Sequence, residues 1–155
     1  MITRRRMLAG AAGLTLAAPQ ARSFTLPLSD SLRARAAAKG LLYGAAAANY
    51  ELTDPAFAAL FAREAAILVP EYELKRGIVE PEPGRFDYSG ADALLAFAVA
   101  HGMKMRGHTL VWYAANPPWL DEKVLGAPDD EILTDYVARL MGRFRGRMHS
   151  WDVVN

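Results

Sequence analysis

Ser150-Trp151-Asp152-Val153-Val154-Asn155 is a short, largely apolar run that stops on a polar residue. Parallel α/β barrels carry their functional side chains where strands end, so a strand closing on Asn predicts a barrel mouth at that point. Upstream, strand-like and helix-like stretches alternate. Residues 41–46, Leu-Leu-Tyr-Gly-Ala-Ala, form an apolar run suited to a strand buried on both faces. Asp54-Pro55 opens a helix over residues 55–64, with Phe57, Leu60 and Phe61 at i, i+3 and i+4. Ile67-Leu68-Val69-Pro70 reads as the next strand. Residues 86–92 lead into a helix with Leu94, Leu95, Ala98 and Val99 on its apolar face, ending near His101-Gly102. A strand over 104–112 follows. A helix then starts at Asp129-Asp130, acids suited to the positive end of its dipole, and runs to Phe144.

This alternation argues for right-handed βα units around a parallel sheet. A doubly wound sheet gives the same pattern. Its phosphate loop, G-x-G-x-x-G after the first strand, is missing, because Gly44 is followed by Ala45, Ala46, Ala47, Ala48 and Asn49. The expected fold is therefore the N-terminal half of a (β/α)8 barrel, with about four parallel strands where a closed barrel has eight over roughly 250 residues.

At 155 residues, 52% hydrophobic and 23% charged, the chain has the composition of one ordinary globular domain. A formal net charge of +1 provides no field to draw nucleic acid, and Arg143, Arg145 and Arg147 read as a solvated helix end. With no cysteine, neither a disulfide framework nor a thiolate metal site can form. His101, His108 and His149 fall on different predicted elements without a carboxylate pattern, so no metal is expected. Residues 1–22 hold the basic run Arg4-Arg5-Arg6 and a mildly apolar stretch about half the length that spans a bilayer. This segment looks like a twin-arginine signal peptide, which predicts export to the periplasm or cell exterior and no membrane anchor in the mature form. An uncleaved amphipathic or disordered tail is the alternative. Residues 23–40 read as linker and a short helix over 31–39, capped by Ser29 or Asp30 and closed by Gly40.

The strand ends hold the chemistry. After the second strand come Glu71-Tyr72-Glu73-Leu74-Lys75, two carboxylates and an ammonium that suit sugar hydroxyls or simply a solvated loop. After the third come His108 and Trp112, four apart, a spacing that aims both to one side of an extended strand. An aromatic plate beside a polar tip matches a pyranose, whose C–H face is apolar and whose rim is hydroxylated.

In order, Glu71 to Lys75, then Glu80-Pro81-Glu82-Pro83-Gly84-Arg85-Phe86-Asp87-Tyr88 with Asp92, Gly107-His108-Thr109-Leu110-Val111-Trp112, Pro118-Trp119, and Trp151-Asp152-Val153-Val154-Asn155 resemble the first half of a glycoside hydrolase family 10 xylanase over residues 41–155. The resemblance implies a barrel enzyme that cleaves internal β-1,4 linkages of xylan with retention, using two glutamates and no cofactor. It implies that Glu71, Lys75 and His108 hydrogen-bond the sugar on the non-reducing side of the scissile bond. Trp112 would pack beneath that sugar, and Asn155 would contact its 2-hydroxyl. In the family the acid/base is the Glu directly after the W-D-V-V-N strand, and the nucleophile lies further on. Neither falls within these residues, so no catalytic residue is assigned and the expectation is a truncated fragment, inactive by itself, whose partner is β-1,4-xylan or a xylo-oligosaccharide. A non-catalytic carbohydrate-binding remnant or a decayed product are the alternatives, and an open sheet predicts self-association through its edges. The family usually has Asn where Tyr72 stands, His where Tyr113 stands, and Gln where Ala115 stands. Those tyrosines either pack or touch sugar.

Overall fold

The computed structural model describes residues 30–126 and 130–155. The twin-arginine segment, the linker up to residue 29 and the expected cap Asp129 lie outside the described residues. Four parallel strands, β1 (Gly44–Ala47), β2 (Ile67–Pro70), β3 (Lys104–Gly107) and β4 (Ser150–Trp151), make one sheet in the order β1-β2-β3-β4. Among them run α1 (Leu32–Ala37), α2 (Pro55–Glu64), α3 (Arg76–Val79), α4 (Ser89–Ala100), α5 (Pro118–Gly126) and α6 (Asp130–Arg143). Sequential parallel neighbours joined through helices are the (β/α) barrel pattern, so the half-barrel expectation holds.

Local chemistry places the helices. Asp54 caps α2, its carboxylate accepting from the N–H groups of Ala56 and Phe57, with Pro55 in the first turn. Ser31 caps α1 by accepting from the Ala34 N–H, in place of the expected Ser29 or Asp30. Gly102, at φ +60°, turns the chain out of α4 toward β3, a left-handed conformation that favours glycine. The short α3 and the longer α5 go unpredicted, since four residues carry no readable period and Pro117-Pro118 reads as a breaker.

Register decides which side chains go where. Ala45 pairs with Leu68 and Leu68 with Met105, so these three share the face that meets the helices. There they pack with Phe61, Leu94, Ala98, Tyr136, Leu140 and Phe144 in one buried cluster. Each large apolar chain removed from water there contributes about 1.5–3 kcal/mol. The other face carries Gly44, Ile67, Lys104 and Arg106, none of them buried. Strand β1 therefore corrects the expectation of a strand buried on both faces. It starts at Gly44 rather than residue 41, and Leu41, Leu42 and Tyr43 are exposed, because only one face of the sheet is covered by helices. Arg143 is more than a solvated helix end: it bonds Asp92 at 2.5 Å and ties α6 to α4.

Gly107 marks the tightest contact between strands. It pairs with Trp151, and a Cβ built on it would clash with the indole, 2.1 Å from Cε3 and 2.3 Å from Cζ3. The Gly107 carbonyl accepts from the Asp152 N–H at 2.9 Å, which seats β4 against β3.

Candidate functional site

Beyond β3, parallel pairing continues past the strands proper. The Leu110 N–H donates to the Asp152 carbonyl, the Val111 N–H to that of Val153, and the Asn155 N–H to that of Val111, all at 3.0 Å. This lays the G-H-T-L-V-W and W-D-V-V-N segments side by side. Strand parity puts Arg106, His108, Ser150 and Asp152 on the face away from the helices. There His108 Nδ1 lies 3.0 Å from Asp152 Oδ2, and Arg106 Nε donates to Asp152 Oδ1 at 2.9 Å. An ionised carboxylate only accepts, so Nδ1 carries the proton and Nε2 is left for another partner. The hydrogen bond from Arg106, and after it that from His108, holds the Asp152 carboxyl below its ordinary range.

Lys75 comes to the same end of the sheet from the turn after β2. Its ammonium stands 4.6 Å from the centre of the Trp112 ring and 4.7 Å from that of Tyr72. The rings' negative faces hold the cation without neutralising it, which leaves its N–H donors for a ligand. Trp112 meets Tyr113 edge-on at 6.4 Å, and Tyr113 is 81% exposed. Glu71 follows Pro70 directly and is half-buried, its N–H donating to the Ala47 carbonyl at 3.1 Å. Among the described residues its carboxylate has no hydrogen-bonded partner.

The five expected contacts are therefore gathered unevenly. Lys75 meets Trp112, and the Asn155 backbone meets Val111 beside it. His108 turns to Asp152, and Glu71 bonds none of the other four. Two readings need correction. Glu73 is no sugar ligand but a buried bracket, accepting from the Asn49 N–H at 2.6 Å and the Tyr72 N–H at 3.2 Å. The even spacing of His108 and Trp112 does not place Trp112 either, because β3 ends at Gly107 and the extended alternation ends with it. Contact with Lys75 locates that ring instead. Arg106 and Asp152 escaped the sequence reading, although Arg106 stands two before His108 and so shares its face.

A sequence model of glycosyl hydrolase family 10 matches residues 31–155. Endo-1,4-beta-xylanase A of Phanerodontia chrysosporium is 35% identical over 128 residues, which cover 80% of this chain and 31% of that protein. The structure of xylanase 10B from Thermotoga petrophila RKU-1 in complex with xylobiose superimposes with a TM-score of 0.69 at 31% identity, covering 79% of this chain and 38% of that one. Xylanase B from Clostridium stercorarium F9 gives a TM-score of 0.71 at 29% identity, covering 81% and 41%. The chain thus spans between 31% and 41% of the length of these relatives. With the family model matching residues 31–155, through both β3 and β4, the chain belongs to glycosyl hydrolase family 10.

Proposed function

We propose that this chain carries the substrate-holding part of an endo-1,4-β-xylanase site, with xylan or a xylo-oligosaccharide as its ligand. The observation that carries the reading is the Lys75 ammonium held between Tyr72 and Trp112, beside the paired His108 and Asp152. It puts donors, an acceptor-ready imidazole and aromatic surface at one end of the sheet, the combination a pyranose needs. Lys75 covers one face of Trp112, so the sugar packs on the other. Glu71 and Asn155 complete the polar rim. The xylobiose bound by the Thermotoga petrophila relative supports this ligand class.

Retaining hydrolysis needs two carboxyl groups about 5 Å apart, one protonated and one ionised. Asp152 is held ionised by Arg106, Glu73 is engaged by backbone N–H groups, and Glu80 is paired with Arg76. Among the described carboxylates next to the ends of β2 and β4 this leaves Glu71, and one carboxylate does not make a pair. The 155 residues therefore bind without cleaving, and in a full enzyme the acid/base and nucleophile come from further glutamates. Export through the twin-arginine segment places the protein where polymeric xylan is found.

Titration calorimetry with xylotetraose tests the binding. Trp112→Ala should weaken it about tenfold, the equivalent of about 1.4 kcal/mol. Equal affinity of the variant would overturn the assignment. A reducing-sugar assay on xylan should stay at background, and release of sugar by the purified chain would refute the claim that it does not cleave.

A further inference from the structure

Two tyrosines stand where the family usually has other residues, Tyr72 in place of Asn and Tyr113 in place of His. Their surroundings differ. Tyr72 is 46% exposed, and the Lys75 ammonium lies 4.7 Å from its ring centre, so part of its surface is already occupied. Tyr113 is 81% exposed, and among the described residues its one ring contact is with Trp112, edge-on at 6.4 Å with 73° between the planes. A single exposed aromatic is ordinary on a protein surface. This one stands beside the ring on which the sugar packs.

The backbone explains the angle. Trp112 is extended, at φ −154° and ψ 125°, and Tyr113 opens a one-turn 3-10 helix over Tyr113–Ala115. At a junction of extended and helical backbone, successive side chains leave in directions that follow neither strand alternation nor the helix period. Ala114 and Ala115, which come next, carry only methyl groups, and most of the phenol stays open to solvent. Tyrosine has few side-chain torsions, so holding its ring against a ligand costs little entropy.

Two aromatic platforms hold two linked sugars only when the angle between the sugar planes matches the angle between the rings. A β-1,4 chain of glucose lies as a flat ribbon with neighbouring planes parallel, because its hydroxymethyl groups hydrogen-bond to the next sugar. Xylose lacks that group, so its chain relaxes into a twisted form whose neighbouring planes lie steeply across each other. We propose that Tyr113 is a second sugar platform, which takes the xylose next to the one on Trp112 and selects the twisted chain over the flat one. Rings set at 73° stack on two sugars of a twisted chain and on only one of a flat ribbon. The assignment rests on the reading of Trp112 as the first platform, and it gives a role to a residue in which this chain departs from its family's usual pattern.

Titration calorimetry of the full chain with xylotetraose and cellotetraose decides it. The parent should bind xylotetraose more tightly. Tyr113→Ala should weaken xylotetraose about fivefold and leave cellotetraose unchanged, with unaltered far-ultraviolet circular dichroism because the side chain is exposed. Tyr113→Phe keeps the ring face and should bind both as the parent does. Undiminished xylotetraose affinity in Tyr113→Ala, with Trp112→Ala weakened, overturns the second platform alone. Equal loss of both tetraoses in Tyr113→Ala overturns the selection of a twisted chain. A loss in Tyr113→Phe as large as in Tyr113→Ala makes the hydroxyl the contact and overturns the stacking. Undiminished xylotetraose affinity in Trp112→Ala overturns the first platform, and the proposal with it.

Discussion

Gly107→Ala tests the contact that seats β4 against β3. Without a clash, replacing a strand glycine by alanine stabilises by about 0.5–1 kcal/mol, because glycine loses more chain entropy on folding. Here the new methyl would overlap Cε3, Cζ3 and Cδ2 of Trp151. The indole must swing away, or β4 must shift. A swing disturbs its packing on Phe144, 6.4 Å between ring centres, and a shift breaks the Asp152 N–H bond to the Gly107 carbonyl. Forcing a methyl into a packed interior costs about 1–3 kcal/mol, occasionally more. The clash outweighs the entropy gain, so a net loss of about 1–2 kcal/mol is expected, a melting-point drop of about 2–8 °C for a chain this size. Urea unfolding followed by circular dichroism measures it. Trp151→Ala opens the space, so the double variant should be more stable than the sum of the two single losses by about 1 kcal/mol. Gly142→Ala is the control: its Cβ meets nothing, so it should stabilise by about 0.4–1 kcal/mol. A Gly107→Ala protein as stable as the parent, with no coupling to Trp151, would refute the close approach of the two strands.

Leu94→Ala, at a fully buried position of α4, should cost about 2–5 kcal/mol in the same urea assay, because a cavity opens against the sheet. The Asp152 carboxyl is held below its ordinary value, so its pairing with Arg106 contributes stability fully above the unfolded value of about 3.9 and loses it as pH falls through the folded value. Melting temperatures between pH 6 and pH 2, read as a difference from Asp152→Asn, should show a gap that closes toward the acid end; a gap that stays constant would refute the pairing. Leu41 and Leu42 before β1, and Val153 and Val154 after β4, are exposed at the two edges of the sheet. Sedimentation velocity should show concentration-dependent association, weakened by Val154→Lys; a monomer throughout would refute edge pairing.

The sequence was most readable where the signal is local. Asp54-Pro55 announced α2, and Ile67-Leu68-Val69-Pro70 announced β2 to the residue, because capping and a short apolar run depend on neighbours in the chain. The edges of β1 and β3 were misread. Alternation along a segment does not say where its neighbour stops pairing, and β3 gives up regular pairing at Gly107, five residues before the predicted end at Trp112. In the site, Lys75, His108 and Trp112 were legible as polar and aromatic residues at strand ends. Glu73 looked the same as Glu71 in sequence, and only burial beneath the Asn49 N–H separates them.

The chain's order of elements, its parallel sheet and its family motifs were determined by the sequence alone, since periodicity, caps and strand-end polarity are written within a few residues of one another. Tertiary structure decided the partners: Arg106 and His108 with Asp152, Lys75 with Trp112, and Arg76 with Tyr136. Those pairs are far apart in the chain, and which atoms meet depends on the register of β3 against β4 and on how α6 lies over the β2 turn. Register is set by the whole sheet packing at once, with Gly107 admitting Trp151, and no local stretch of sequence carries it.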